Sequence, residues 1–115
     1  MDINKMTIEQ IEKKLKTAKN KVKTWTKSGV YRIGGNYLIR TVTMIYTGKL
    51  KELTDNELVL TNCAWIADTG RWAQACETGN FDEVEPYPKN AEVIIGKGAI
   101  LDMFEVEFEL PTKQK

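Results

Sequence analysis

The chain has 115 residues, 42% of them hydrophobic and 29% charged, with a net charge of +1, two cysteines and no histidine. That length suits one domain with a modest core, and no run approaches the ~18 apolar residues of a membrane-spanning helix, so no membrane partner is expected. The absence of histidine removes Ser-His and Cys-His nucleophile pairs, and two cysteines without CxxC spacing cannot make a structural zinc site.

The amino terminus lacks a signal-peptide apolar region, which points to a cytoplasmic protein. The small net charge hides an asymmetry. Residues 1–51 carry twelve Lys/Arg against three Asp/Glu (+9), while residues 52–115 carry five against thirteen (−8). A basic arm of this kind can meet a polyanion, or its lysines can simply solvate one helix face.

The first predicted element is a helix over 7–28. Thr7-Ile8-Glu9-Gln10 fits a capping box, Met6 and Ile11 a hydrophobic staple, and Gly29 a stop. Ile8, Ile11, Leu15, Ala18, Val22 and Trp25 recur at alternating intervals of three and four. That narrow seam suits self-pairing through Ile8, Ile11, Leu15, Val22 and Trp25, or packing on the chain's own sheet.

From Tyr31 the pattern turns to β. Gly34-Gly35-Asn36 reads as a turn before Tyr37–Arg40, and Thr41–Tyr46 is β-branched and aromatic, with Gly48 marking a bulge or close backbone approach. Thr54-Asp55-Asn56 turns into the buried strand Leu58–Leu60. Arg71–Glu77 has length for two helical turns, with Asp68 or Thr69 as cap and Gly79 as stop. Asn80–Asn90 reads as a loop stiffened by Pro86 and Pro88. Glu92–Ile95 and Ile100–Leu110 read as strands linked by Gly96-Lys97-Gly98; in the latter, Phe104, Val106, Phe108 and Leu110 alternate with glutamates. Cys63 and Cys76 fit buried free thiols.

The residues with chemistry gather after the central strand. Asn62, Trp65, Asp68, Arg71 and Trp72 leave the sheet together, where a small ligand would meet backbone amides. Thr69-Gly70-Arg71 at a helix start suits a phosphate, and either tryptophan can stack on a base or belong to the core. Arg40, inside a strand, is an exposed edge residue or a second phosphate contact. The loop from Phe81 to Asn90 adds those two residues as candidates. With no base, nucleophile pair or metal set, the segment suggests holding a molecule rather than transforming it: no enzyme, no cofactor.

The order of long helix, Leu38-Ile39-Arg40-Thr41, Thr47-Gly48-Lys49-Leu50, Leu58-Val59-Leu60-Thr61-Asn62-Cys63-Ala64-Trp65-Ile66, short helix through Gly79 and Ile100-Leu101-Asp102-Met103-Phe104-Glu105-Val106 resembles the first described Thoeris anti-defence sponge family. These are small phage proteins that counter a bacterial immune system in the host cytoplasm. The resemblance, over about residues 7–110, implies homodimers with paired helices that assemble further, as in a hexamer. It also implies sequestration of cyclic ADP-ribose isomers from TIR proteins without cleavage; some members bind cyclic di- or trinucleotides at a separate site.

The resulting expectation is an α+β fold in a single domain, 1–115, with a long N-terminal dimerisation helix over 7–28 and a mostly antiparallel β-sheet core with one short helix over 31–110. It binds a cyclic ADP-ribose isomer. The alternatives are a small nucleic-acid-binding β-domain with a lysine-rich helix, and a small hydrolase using Asp or Glu.

Overall fold

Valine, isoleucine, threonine and aromatic residues crowd two stretches of the chain, and both form strands. The structure, a computed structural model, describes residues 30–115. In chain order come β1 (Asn36–Thr41), β2 (Ile45–Leu53), β3 (Glu57–Asp68), the helix α1 (Trp72–Thr78), β4 (Glu83–Pro86), β5 (Val93–Gly96), a 3₁₀ turn (Lys97–Ala99) and β6 (Ile100–Glu105). Ile33–Lys115 make one compact unit.

All pairings are antiparallel. The strands run in the order β4-β3-β2-β1-β6, and β5 also pairs with β3. At 12 residues, β3 is long enough to serve both partners, β5 along Glu57–Leu60 and β4 along Ala64–Asp68. Between those halves Asn62 takes φ 50°, and Asn62 and Cys63 together oppose Gly48 of β2. This is a bulge with asparagine, one of the few residues that tolerate the left-handed region, at its turning point. Gly48 leaves room opposite it: a Cβ there would lie 3.1 Å from Leu60 Cβ, a tight contact. The ends of the path β5-β3-β2-β1-β6 are consecutive in the chain and joined by one 3₁₀ turn. The sheet must therefore curl into a small, partly open barrel.

Neighbouring Leu38 and Ile39 point to opposite faces and are both buried, and the same is true of neighbouring Leu58 and Val59. One core cluster joins Leu38, Ala64, Ile66, Ala75, Phe81, Val84 and Val106, with Ile45, Phe108 and Leu110 packed against it. Ala75 is the one residue by which α1 enters it. Gly79 ends that helix at φ 71°, its N–H donating to the Ala75 carbonyl.

The expected α+β class is corrected. The described residues form a mostly antiparallel sheet of six strands with one short helix of seven residues. The expected helix 7–28, with Ile8, Ile11, Leu15, Val22 and Trp25, lies outside the described residues. Two smaller expectations also change. The loop 80–90 contains β4, whose Val84 is pulled into the core. The last strand stops at Glu105, not Leu110, although its apolar residues Val106, Phe108 and Leu110 still reach the core from beyond the strand, where the Val106 N–H donates to the Asn36 carbonyl at 2.7 Å.

Thr47, between Leu38 on β1 and Ala64 on β3, is fully buried, and its hydroxyl has no hydrogen-bond partner. An unpaired buried hydroxyl costs about 1–3 kcal/mol. Thr47→Val keeps the β-branched shape and should raise stability in denaturant unfolding by about 1 kcal/mol. A loss of that size would show that the hydroxyl is satisfied in solution.

Candidate ligand-binding site

The bulge at Asn62 and the Pro86-Tyr87-Pro88 segment after β4 bring two clefts side by side. One, of ≈ 250 Å³, is lined by Met44, Trp65, Glu85, Pro86, Tyr87 and Pro88. The other, of ≈ 350 Å³, has Asn62, Lys89 and Thr112 among its walls and shares Pro86, Tyr87 and Pro88 with the first. Tyr87 thus lines both clefts, which together make the candidate trough. Its backbone N–H donates to the Cys63 carbonyl at 2.9 Å, which ties the loop to the bulge. Its ring lies tilted 6.5 Å from that of Tyr46.

The surface of the first cleft is unusually apolar for an exposed position. Trp65 is 38% exposed, Tyr87 38% and Met44 41%. Trp65 and Tyr87 thus leave aromatic surface open to solvent in one cleft, as a planar ligand group would require for stacking. The second cleft differs in kind, having the polar residues Asn62 and Lys89 among its walls. Burial, reinforced by Tyr87, raises the pKa of the Tyr46 phenol, so it stays protonated at neutral pH. Cys63, also lining the second cleft, has its thiol pushed up to about 12 by burial, leaving almost no thiolate to react.

Five of the eight candidates from sequence fall into two groups. Asn62 and Trp65 line the trough, and Asn90 (φ 72°) sits in the following turn, where the Ala91 N–H donates to the Pro88 carbonyl at 3.0 Å. Arg40 and Trp72 meet elsewhere, with the guanidinium carbon 5.1 Å from the Trp72 ring centroid. There Arg40 Nε donates to Asp102 Oδ1 at 2.8 Å and a second guanidinium nitrogen to Oδ2. Each partner favours the other's charge, raising the arginine pKa and lowering that of the aspartate. The fork is therefore already occupied by a carboxylate. For Asp102 the stability gained is present above the ordinary carboxylate pKa and lost as pH falls through its lowered folded value; both side chains are exposed, so it is small.

Three further candidates lie outside both groups. Phe81 is only 1% exposed and its ring packs edge-on against Phe108, so it belongs to the core. Asp68 Oδ1 accepts from the Gly70 N–H at 2.9 Å, so that amide is already used. Arg71 is exposed and holds the cap position of α1 without a side-chain cap bond. Sequence reasoning missed Met44, Tyr87, Lys89 and Asp102. A tyrosine fixed between two prolines was a legible signal for Tyr87, since neither proline can turn it into a helix.

Fold and candidate site together describe a small bent β-barrel with an aromatic-lined trough whose walls come in part from its longest strand, β3, and from residues 86–88. Neither the protein-family models nor the curated proteins match the chain. Among solved structures it is similar to a heptameric archaeal Sm protein, at 17% identity and a TM-score of 0.46, over 65% of this chain and 90% of that one. A likeness so distant carries no argument about this chain.

Proposed function

We propose that this chain is a binding protein that captures a nucleotide with an aromatic base and a phosphate-bearing half, and holds it intact in the trough lined by Tyr87. One observation carries the reading: an aromatic shelf of Trp65 and Tyr87 adjoins a recess that has Asn62 and Lys89 among its walls. A base stacks on the shelf, and the phosphates turn into the recess, where an ammonium and an amide supply charge and hydrogen bonds. Arg40 is not needed for this, being paired to Asp102. The resemblance to the Thoeris anti-defence sponges makes a cyclic ADP-ribose isomer the favoured ligand, in a protein acting within the host cytoplasm.

Calorimetric titration with cyclic ADP-ribose isomers, linear ADP-ribose and a single-stranded oligonucleotide tests the reading. Saturable binding of an ADP-ribose compound is expected, with the compound returned uncleaved after the protein is denatured. Cleaved product would make the protein an enzyme. Binding confined to the oligonucleotide, and falling steeply with salt, would make it a nucleic-acid binder.

A further inference from the structure

Part of the wall of the recess comes from Pro111 and Thr112, far in sequence from Asn62. This tail is held on both sides of the cleft by different forces. Before it, Phe108 packs edge-on to Phe81 at 5.9 Å between ring centroids, and Leu110 also rests on the core. The Phe108 ring lies so close to the end of α1 that a Cβ on Gly79 would approach it to 2.4 Å. Beyond the cleft, Lys115 and Val84 exchange two backbone hydrogen bonds, each 3.0 Å, on the outer edge of β4. Gln114 Nε2 donates to Glu85 Oε1 at 3.0 Å and Lys115 Nζ to Asn80 Oδ1 at 2.7 Å.

The two anchors are unequal. The inner one is apolar and packed on the core, whereas the outer one consists of hydrogen bonds among exposed side chains and one backbone pair. Local opening starts where buried apolar contact is least, so the outer end is the one that releases. Pro111 fixes the backbone where the tail leaves the core, making a stiff pivot at the inner end.

We propose that residues 111–115 form a strap over the recess, in which the Thr112 hydroxyl meets the phosphate-bearing half of the ligand across from Lys89 and the Lys115–Val84 pairing closes behind it. The proposal rests on the nucleotide reading above. A strap of this kind lengthens residence by adding a wall after entry, and it spares the ligand the cost of ordering a free segment.

The test compares the unaltered chain, a chain ending at Leu110, the full chain with Thr112→Val and the full chain with Trp65→Ala, each titrated with cyclic and linear ADP-ribose. Shortening retains Phe108 and Leu110, so the melting transition should persist while affinity falls at least about tenfold; Thr112→Val should cost about three- to tenfold. If the shortened chain does not fold, Thr112→Val decides alone. Affinities within twofold of the unaltered chain for each folded tail variant, with binding lost in Trp65→Ala, would overturn the strap and leave the nucleotide reading standing. Failure of the unaltered chain to bind either compound would overturn both.

Discussion

Phe81→Ala should remove about 3–5 kcal/mol of stability, the usual cost of emptying a buried phenylalanine site. The ring is 1% exposed, sits among Leu38, Ala64, Ile66, Ala75, Val84 and Val106, and receives the edge of Phe108. Those neighbours come from β1, β3, α1, β4 and the tail, so no single element can move in to fill the space. Small domains hold only about 5–15 kcal/mol in total, so this variant should unfold at markedly lower denaturant concentration. A cost below about 1 kcal/mol would take the ring out of the core and return it to the list of ligand contacts.

Tyr87→Ala should weaken nucleotide binding by about thirtyfold or more, or ~2 kcal/mol, because one ring forms a wall of both halves of the trough. Its fold should survive, since the ring is 38% exposed and the loop is held through the backbone N–H that bonds Cys63. Trp72→Ala is the contrasting control. It removes the other exposed tryptophan of the barrel but only strips Arg40 of its stacking partner, so affinity should stay within about twofold. The reverse outcome, with Trp72→Ala damaging binding and Tyr87→Ala neutral, would move the site to the Arg40 cluster.

Local chemistry was readable where it depends on neighbours in the chain. The turn at Thr54–Glu57 is closed by Thr54 itself, whose hydroxyl accepts from the Glu57 N–H at 2.9 Å, and the Gly79 stop takes the left-handed conformation that favours glycine. The limits of β3 were less legible. Nothing polar interrupts Leu58–Ile66 except Thr61-Asn62, and whether an asparagine ends a strand or bulges it is decided by the partner strand. The same holds for Val106–Leu110, where alternation reports burial correctly but not pairing, because apolar residues two apart can reach a core without a partner strand.

The candidate site was half legible for a related reason. Residue type marked Asn62 and Trp65 as ligand-like, and both line the trough. It equally marked Arg40, whose phosphate-binding fork is taken up by Asp102, a partner 62 positions away that only the β1–β6 register brings opposite. Phe81 is buried in the core, of which a loop flanked by Asn80 and Asp82 gives no sign. Tyr87 was passed over because the prolines beside it were read for stiffness and not for what they hold out to solvent.

The most direct measurement is the fluorescence of Trp65 as its sole tryptophan emission. In a chain carrying Trp25→Phe and Trp72→Phe, titration with the ADP-ribose isomer that binds tightest should quench Trp65 in a saturable curve, with the same midpoint as calorimetry on that chain, because the base stacks against that ring. Undiminished calorimetric binding with no change in Trp65 emission would contradict the account and place the ligand away from the trough.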